Sequence, residues 1–185
     1  MKTKAMLFCM FIIFILISGC GKSEPKEYVS KEGGYKFTGP AGWHLDDEGD
    51  NTLVIKRGNN KLIETLSMQL EDSPEQLGSL SEEELFEKIK SHTIDIADAY
   101  CSDAGIENKS VNSAYKTQLS GLPAYRIQAE GYANGLGATA VVDIIVGYDI
   151  SKANVYLFAS QIEKSEYADV MTDLDAVISS YQVIQ

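Results

Sequence analysis

The chain has 185 residues, with 16 Lys and Arg against 27 Asp and Glu and a formal net charge of −11. This length suits one domain with a short tail. A protein this acidic is repelled by nucleic acid and by anionic lipid headgroups, so the composition argues against a DNA-binding or RNA-binding protein and against electrostatic attachment to a membrane.

The first 19 residues differ in character from the rest of the chain. Lys2 and Lys4 both stand just before a run of thirteen apolar residues, 5–17. A membrane-spanning helix needs about 20 apolar residues, so this run is too short to cross a bilayer. A basic start, a short apolar stretch and then small residues are typical of a secretory signal peptide. We therefore predict a signal peptide over residues 1–19 and a domain that works outside the cytoplasm.

The end of that segment, Ile17-Ser18-Gly19-Cys20, resembles the lipobox of bacterial lipoproteins. The resemblance implies that Cys20 carries a diacylglyceryl group and becomes the mature N-terminus. Because residues 1–19 hold two lysines and no acidic residue, the formal charge would fall from −11 to −13. Each buried acyl CH₂ contributes about 0.8 kcal/mol, and two or more chains give stable anchoring. Residues 20–27 are polar, so we expect a lipidated tether there.

The remaining cysteines and the residue after Cys20 refine this prediction. Cys9 leaves with the signal peptide, which makes Cys101 the single thiol of the domain. A lone thiol in an exported protein is buried or pairs with another molecule, and we expect burial. A Gly at position 21, rather than Asp, after the lipidated cysteine resembles the signal that sends lipoproteins of diderm cells to the outer membrane. In a monoderm cell the anchor would lie in the cell membrane.

Residues 28–185 have the composition of one globular domain with a single core. Short strands are expected at Tyr35–Phe37 and in a hairpin formed by 53–56 and 63–70, and a loop is expected over 73–78. Ser81 to Glu84 form a capping box, which predicts a helix that ends near Gly105 and buries one stripe. That stripe comprises Leu85, Ile89, Ile96 and Tyr100.

Four further strands and a last helix follow. The strands are predicted over 110–119, 124–132, 139–148 and 155–161, and the helix over 166–181. In the second of these strands, apolar residues alternate with Arg126, Gln128 and Glu130, which predicts one solvated face. The order indicates an α+β domain with two helices packed against an antiparallel sheet.

No motif in the sequence indicates a particular chemical reaction. A closed zinc site needs about four ligands, and His44, His92 and Cys101 lack paired spacing. His92 and Cys101 are nine residues apart on one predicted helix, which puts them on opposite sides of it and about 13 Å apart along its axis. We therefore expect neither a catalytic dyad nor a cofactor, and we expect that the protein is not an enzyme.

Three other segments have alternative interpretations. The acidic segment Asp46–Asn51 offers oxygen ligands for calcium but lacks EF-hand spacing, so a solvated turn is the commoner outcome. The segment Gly131–Gly137 is glycine-rich and reads as a hairpin turn rather than a phosphate loop. Tyr28, Tyr35 and Trp43 form either part of the core or a surface for a ligand or a protein.

The segment Gly34–Trp43, GYKFTGPAGW, resembles the opening of the PsbP/Mog/DcrB superfamily, a strand followed by Pro-x-x-Trp. Further similarity lies in Gly121–Tyr125 (GLPAY) and in Ser179–Tyr181 (SSY) at the end of the last helix. Gly39 stands where an apolar or aromatic residue often precedes the proline.

The resemblance implies an α/β/α sandwich around an antiparallel sheet and a docking module without catalysis. We expect a membrane-anchored cell-envelope lipoprotein with a non-enzymatic domain that docks an envelope protein. The alternative is a module that binds a small ligand or calcium.

Overall fold

The computed structural model describes residues 24–49, 51–59 and 61–184. The predicted signal peptide and Cys20 lie outside these residues. The described residues form ten strands: β1 Lys26–Ser30, β2 Tyr35–Gly39, β3 His44–Glu48, β4 Thr52–Lys56, β5 Lys61–Gln69, β6 Ile106–Leu119, β7 Leu122–Ala133, β8 Ala138–Asp149, β9 Asn154–Glu163 and β10 Gln182–Val183. They also form three helices: α1 Pro74–Gly78, α2 Glu82–Asp103 and α3 Lys164–Ser180.

The strands form two antiparallel sheets. Seven of them make the large sheet in the order β3-β4-β5-β9-β8-β7-β6, and three make a small sheet in the order β1-β2-β10. Strands β8 and β9 lie inside the large sheet and are buried along nearly their whole length. This position explains their almost continuous apolar sequence, because both faces of each strand are covered.

Each face of the large sheet has its own hydrophobic cluster. On one face, α2 buries Leu85, Ile89, Ala97 and Cys101 against β7, β8 and β9. On the other, α3 packs with the small sheet, and its Val170, Leu174 and Val177 contact that cluster. The predicted α+β sandwich with a long helix between strands and a C-terminal helix is therefore confirmed.

The ends of α2 follow the predicted local chemistry. The Ser81 hydroxyl accepts a hydrogen bond from the Glu84 backbone N–H, and the Glu84 carboxylate accepts one from the Ser81 N–H. Gly105 has a φ of +64°, the left-handed conformation that glycine adopts most easily after a helix. The sequence placed Ile96 and Tyr100 on the buried stripe, but the fully buried positions there are Thr93, Ala97 and Cys101.

Some sequence predictions about elements were wrong. The expected loop over 73–78 is the short helix α1, which starts with a capping box between Ser73 and Gln76. The acidic segment is not a loop throughout, because Asp46 and Asp47 belong to β3. Strand β1 starts at Lys26, inside the predicted tether.

The predicted solvated face of β7 is partly covered, because Arg126, Gln128 and Glu130 are half-buried. Arg126 binds Asp143 of β8 through two hydrogen bonds, one of them 2.8 Å from Nε to Oδ1, and Asp143 is fully buried. The Gln128 amide donates to the hydroxyl of Tyr167 on α3 at 2.6 Å. Polar side chains stand there because they pair with one another, which periodicity alone does not reveal.

Within the described residues, no helix combines the length and the apolar character needed to cross a bilayer.

Candidate functional site

An apolar groove runs between α2 and the edge of the large sheet. It has a volume of about 200 Å³, and its apolar lining comprises Ile94, Ala97, Val111, Ala114, Ile127 and Ala129. Ile94 is 41% exposed and Val111 is 55% exposed, which makes them two of the most accessible large apolar side chains of the described residues. We call this feature the α2–β6 groove.

The groove exists because its floor is built from small side chains at the end of the sheet. Ala129 of β7 lies opposite Val111 of β6, and Ile127 lies opposite Ala114. Ala97 of α2 faces the same space. Alanines leave room between helix and sheet. Because β6 is the edge strand of the described sheet, no described strand lies beyond it to cover the exposed valine.

The rim of the groove carries lysines. Lys109 of β6 forms an ion pair with Asp98 of α2. Lys116 lies with its Nζ 4.2 Å from the centre of the Phe86 ring, a cation–π contact. Strand β6 therefore holds two lysines and one glutamate in a chain of net charge −11. With Asp98 included, these charges balance, so this edge is less acidic than the chain as a whole.

The outer edge of β6 is only partly available for pairing with another strand. Two irregularities interrupt its register, between Glu107 and Ser110 and between Val111 and Ser113. Bulges and lysines are common protections of an edge strand against uncontrolled pairing. The edge thus favours contacts made by side chains in the α2–β6 groove.

A second, polar groove lies on the other flank of α2, near the ends of β5 and β8. It has a volume of about 440 Å³ and is lined by Leu70, Glu71, Asp72, Lys88, Ser91, His92, Asp95 and Tyr148. At its floor, Nδ1 of His92 lies 2.5 Å from the hydroxyl oxygen of Tyr148. We call it the His92 groove.

The protonation states of this pair follow from burial. Tyr148 is 1% exposed, and burial raises the pKa of its hydroxyl. Burial also lowers the pKa of His92, and Lys88 contributes in the same direction against Asp95 and Asp72. Near neutral pH both groups are therefore uncharged, and the hydrogen bond joins the tyrosine hydroxyl to a neutral imidazole.

The two candidates for cysteine chemistry are not brought together. His92 binds Tyr148, whereas Cys101 is 3% exposed and lies in the core beneath α2. Burial raises the pKa of the Cys101 thiol, which makes it a poor nucleophile. The expected burial of Cys101 is confirmed.

The acidic segment does not converge on a metal site in its described part. Asp46 forms an ion pair with Lys56 at 2.6 Å, and a register shift lies between Leu45 and Asp47. Among the described residues, no group of three or more His, Cys, Asp or Glu is arranged to hold a metal ion. Asp50 lies outside these residues, so calcium binding by Asp46–Asn51 stays a prediction.

The aromatic residues near the start of the domain belong to the core. Tyr28, Tyr35 and Trp43 are 4%, 0% and 6% exposed. The hydroxyl of Tyr28 donates to the Trp43 carbonyl at 3.2 Å, and that of Tyr35 donates to the Thr65 carbonyl at 2.7 Å. They therefore do not form the surface that was considered as an alternative.

The sequence singled out His92 as a candidate ligand or base, but it did not identify either groove. Ile94 lies off the predicted buried stripe of α2, and its misfit with that stripe was the available signal for an exposed apolar side chain. Val111 sits in an ordinary strand pattern, and its exposure results from the position of β6 at the sheet edge. Tyr148 reads as a core residue, and its pairing with His92 depends on a distant part of the chain.

No protein-family model and no curated protein matches the chain. The solution structure of cyanobacterial PsbP (CyanoP) from Synechocystis sp. PCC 6803 is similar at a TM-score of 0.57 and 15% identity, covering 89% of this chain and 95% of that one. The Ran-binding protein Mog1p of Saccharomyces cerevisiae gives 0.55 and 13%, covering 88% and 97%. LpqN of Mycobacterium tuberculosis, involved in cell envelope biogenesis, gives 0.57 and 10%, covering 90% and 88%.

Identities of 15% or less establish a shared fold and nothing finer. Within that limit, the described domain has the α+β fold of the PsbP, Mog1p and LpqN structures, as the resemblance in the sequence implied.

Proposed function

We propose that this chain is a membrane-anchored cell-envelope lipoprotein whose domain docks another protein through the α2–β6 groove. The observation that carries the proposal is the pair of exposed apolar side chains, Ile94 and Val111, beside a groove of about 200 Å³. Exposed apolar surface rimmed by polar residues is typical of a protein interaction site. Similar structures include a protein described as Ran-binding and one described as involved in cell envelope biogenesis, which supports this choice.

The rim of the groove indicates the chemistry of the partner. An apolar side chain of the partner would fill the space between Ala97, Ala114 and Ala129. A carboxylate beside it would compete with Asp98 for Lys109, which lines the groove, and a second would reach Lys116 further along β6. Charge complementarity of this kind mainly sets specificity and the association rate. The occupant is therefore a protein segment with an apolar anchor and flanking acidic residues.

The domain acts without catalysis in this proposal. His92 is bound to Tyr148 and Cys101 is buried, so neither is placed as a reactive nucleophile or its base. The membrane attachment rests on Cys20 and on its lipobox resemblance.

A pull-down from detergent-solubilised membranes tests docking. We expect the unchanged protein to recover a specific partner, and Ile94→Asp and Val111→Asp to weaken recovery about tenfold or more, because a buried charge replaces the apolar contact. Met171→Asp on α3 is the matched control, since Met171 is also an exposed apolar residue, at 47%. Equal recovery by all three variants, or no partner with the unchanged protein, would contradict the proposal.

Fractionation and mass spectrometry test the anchor. The mature chain should begin at Cys20 with the mass of a diacylglyceryl group added, and Cys20→Ser should move the protein out of the membrane fraction. An unmodified Cys20 in membrane-bound protein would show that something else holds the domain there.

A further inference from the structure

The His92 groove carries an excess of negative charge that the described side chains do not balance. Glu71, Asp72 and Asp95 line it against a single ammonium group, that of Lys88. Lys88 is already paired, with its Nζ 2.9 Å from Oδ2 of Asp72. Within the described part of the chain, Glu71 and Asp95 have no cationic partner.

His92 does not offset this charge at neutral pH. Its imidazole is hydrogen-bonded to the buried Tyr148 hydroxyl at 2.5 Å, and burial favours its neutral form by lowering its pKa. The groove therefore has a formal charge of −2 within a chain of −11. A concave site of one sign concentrates oppositely charged ligands, so both the local and the overall charge favour a cation.

The size and lining of the groove indicate an organic cation rather than a metal ion. A volume of about 440 Å³ holds several non-hydrogen atoms, and Leu70 contributes apolar surface to the wall. Among the described residues, the carboxylates here do not form a group that could hold a metal. An ammonium or guanidinium group on a short carbon chain satisfies both the carboxylates and the apolar wall.

We propose that the His92 groove binds an organic ammonium or guanidinium group, brought either by a free small molecule or by a basic side chain of a docked protein. The cationic head lies between the carboxylates of Asp95 and Glu71, and the carbon chain lies against Leu70. The groove is on the opposite flank of α2 from the α2–β6 groove, so this site does not depend on the proposed docking function.

Binding at this site is coupled to the charge of His92. A bound cation disfavours the imidazolium form and so lowers the pKa of His92 further. By linkage, protonation of His92 lowers the affinity for the cation by the same factor. Asp95 and Asp72 raise the pKa of His92 and Lys88 lowers it, while Tyr148 is hydrogen-bonded to the neutral ring. Affinity should therefore fall as the pH drops through the pKa of His92.

Proton NMR of the two imidazole rings tests the proposal, because the chain holds two histidines and His44 in β3 serves as the internal reference. The probes are putrescine, the capped peptide acetyl-Gly-Arg-Gly-amide, and glutarate as an anionic control. We expect a saturable shift of the His92 signals and a lower His92 pKa with a cationic probe, and no shift with glutarate. Tighter binding of putrescine indicates a free small molecule, and tighter binding of the peptide indicates a side chain.

Two substitutions with the same change in net charge locate the site. Asp95→Asn should lower the affinity for the cationic probe about fivefold or more. Asp169→Asn, at an exposed position on α3, should leave that affinity unchanged. Asp95→Glu should retain binding. Equal effects of Asp95→Asn and Asp169→Asn would overturn the proposal, as would His92 signals that respond to no cationic probe.

Discussion

Gly39 lacks a side chain, and this leaves space for the aromatic packing near the start of the domain. A Cβ at this position would lie 2.4 Å from Cε2 of Tyr28 and 3.2 Å from Cδ1 of Ile55. The Tyr28 ring occupies that space and packs on Phe37, with ring centres 5.5 Å apart. The aromatic packing beside it therefore requires the glycine at this position.

Replacing Gly39 should destabilise the domain by overpacking. We expect Gly39→Ala to lower the free energy of unfolding by about 1–3 kcal/mol, because the Tyr28 ring has to move. Gly78→Ala is the control, since a Cβ there meets nothing within 4 Å. Urea titration measures both variants, and an unchanged Gly39→Ala midpoint would show that the ring moves at little cost.

The ion pair of Arg126 and Asp143 is the second residue-scale feature with a measurable consequence. Asp143 is fully buried, and the Arg126 side chain is 18% exposed. The hydrogen bonds that Arg126 donates to Asp143 raise the pKa of its guanidinium. Removing one partner leaves the other charge buried and uncompensated, which costs more than removing both.

A double-mutant cycle tests this coupling. Asp143→Leu or Arg126→Met alone should each lower the free energy of unfolding by about 3–5 kcal/mol, and the double variant should lose less than either. Chemical denaturation of the four proteins gives the interaction energy. Additive losses would mean that the two charges are stabilised independently.

Helix α2 is the element that positions both grooves. Its flank toward β6 carries Ile94, and its other flank carries His92 and Asp95. The start of the helix is fixed by the Ser81 capping box and its end by Gly105, so both flanks are held in register with the sheet.

Removing the cap should cost stability without altering the fold. Ser81→Ala should lower the free energy of unfolding by about 1 kcal/mol, since the Glu84 backbone N–H loses its acceptor. Ser102→Ala, at an exposed position near the end of α2, is the control and should stay within about 0.5 kcal/mol. Equal losses in thermal or urea unfolding would assign the effect to something other than the cap.

Elements with strong local signals were predictable, and those held by distant partners were not. The capping box and the apolar pattern of β8 identified α2 and the centre of the sheet. The small sheet depends on β2 pairing with the two-residue strand β10, where Val183 lies opposite Tyr35, and two residues carry no readable period. Likewise β3 is acidic and is ordered by β4 rather than by its own propensity.

At the scale of the whole molecule, the large sheet lies between the first strand of the domain, β1, and the two grooves beside α2. Strand β1, whose start overlaps the predicted tether, packs in the cluster with α3, whereas α2 covers the opposite face. The described chain thus starts on the face that carries neither groove. The grooves themselves were not predictable from sequence, because each depends on how α2 packs against other elements: β6 and β7 in one groove, and the segment after β5 with Tyr148 of β8 in the other.

Photocrosslinking in the native envelope tests the docking function most directly. A p-benzoylphenylalanine at position 111 should capture a partner segment that contains an apolar residue flanked by Asp or Glu, identified by mass spectrometry. The same probe at position 171 on α3 should not capture it. Capture at both positions alike, capture of a basic segment at position 111, or capture of no protein would contradict docking through the α2–β6 groove.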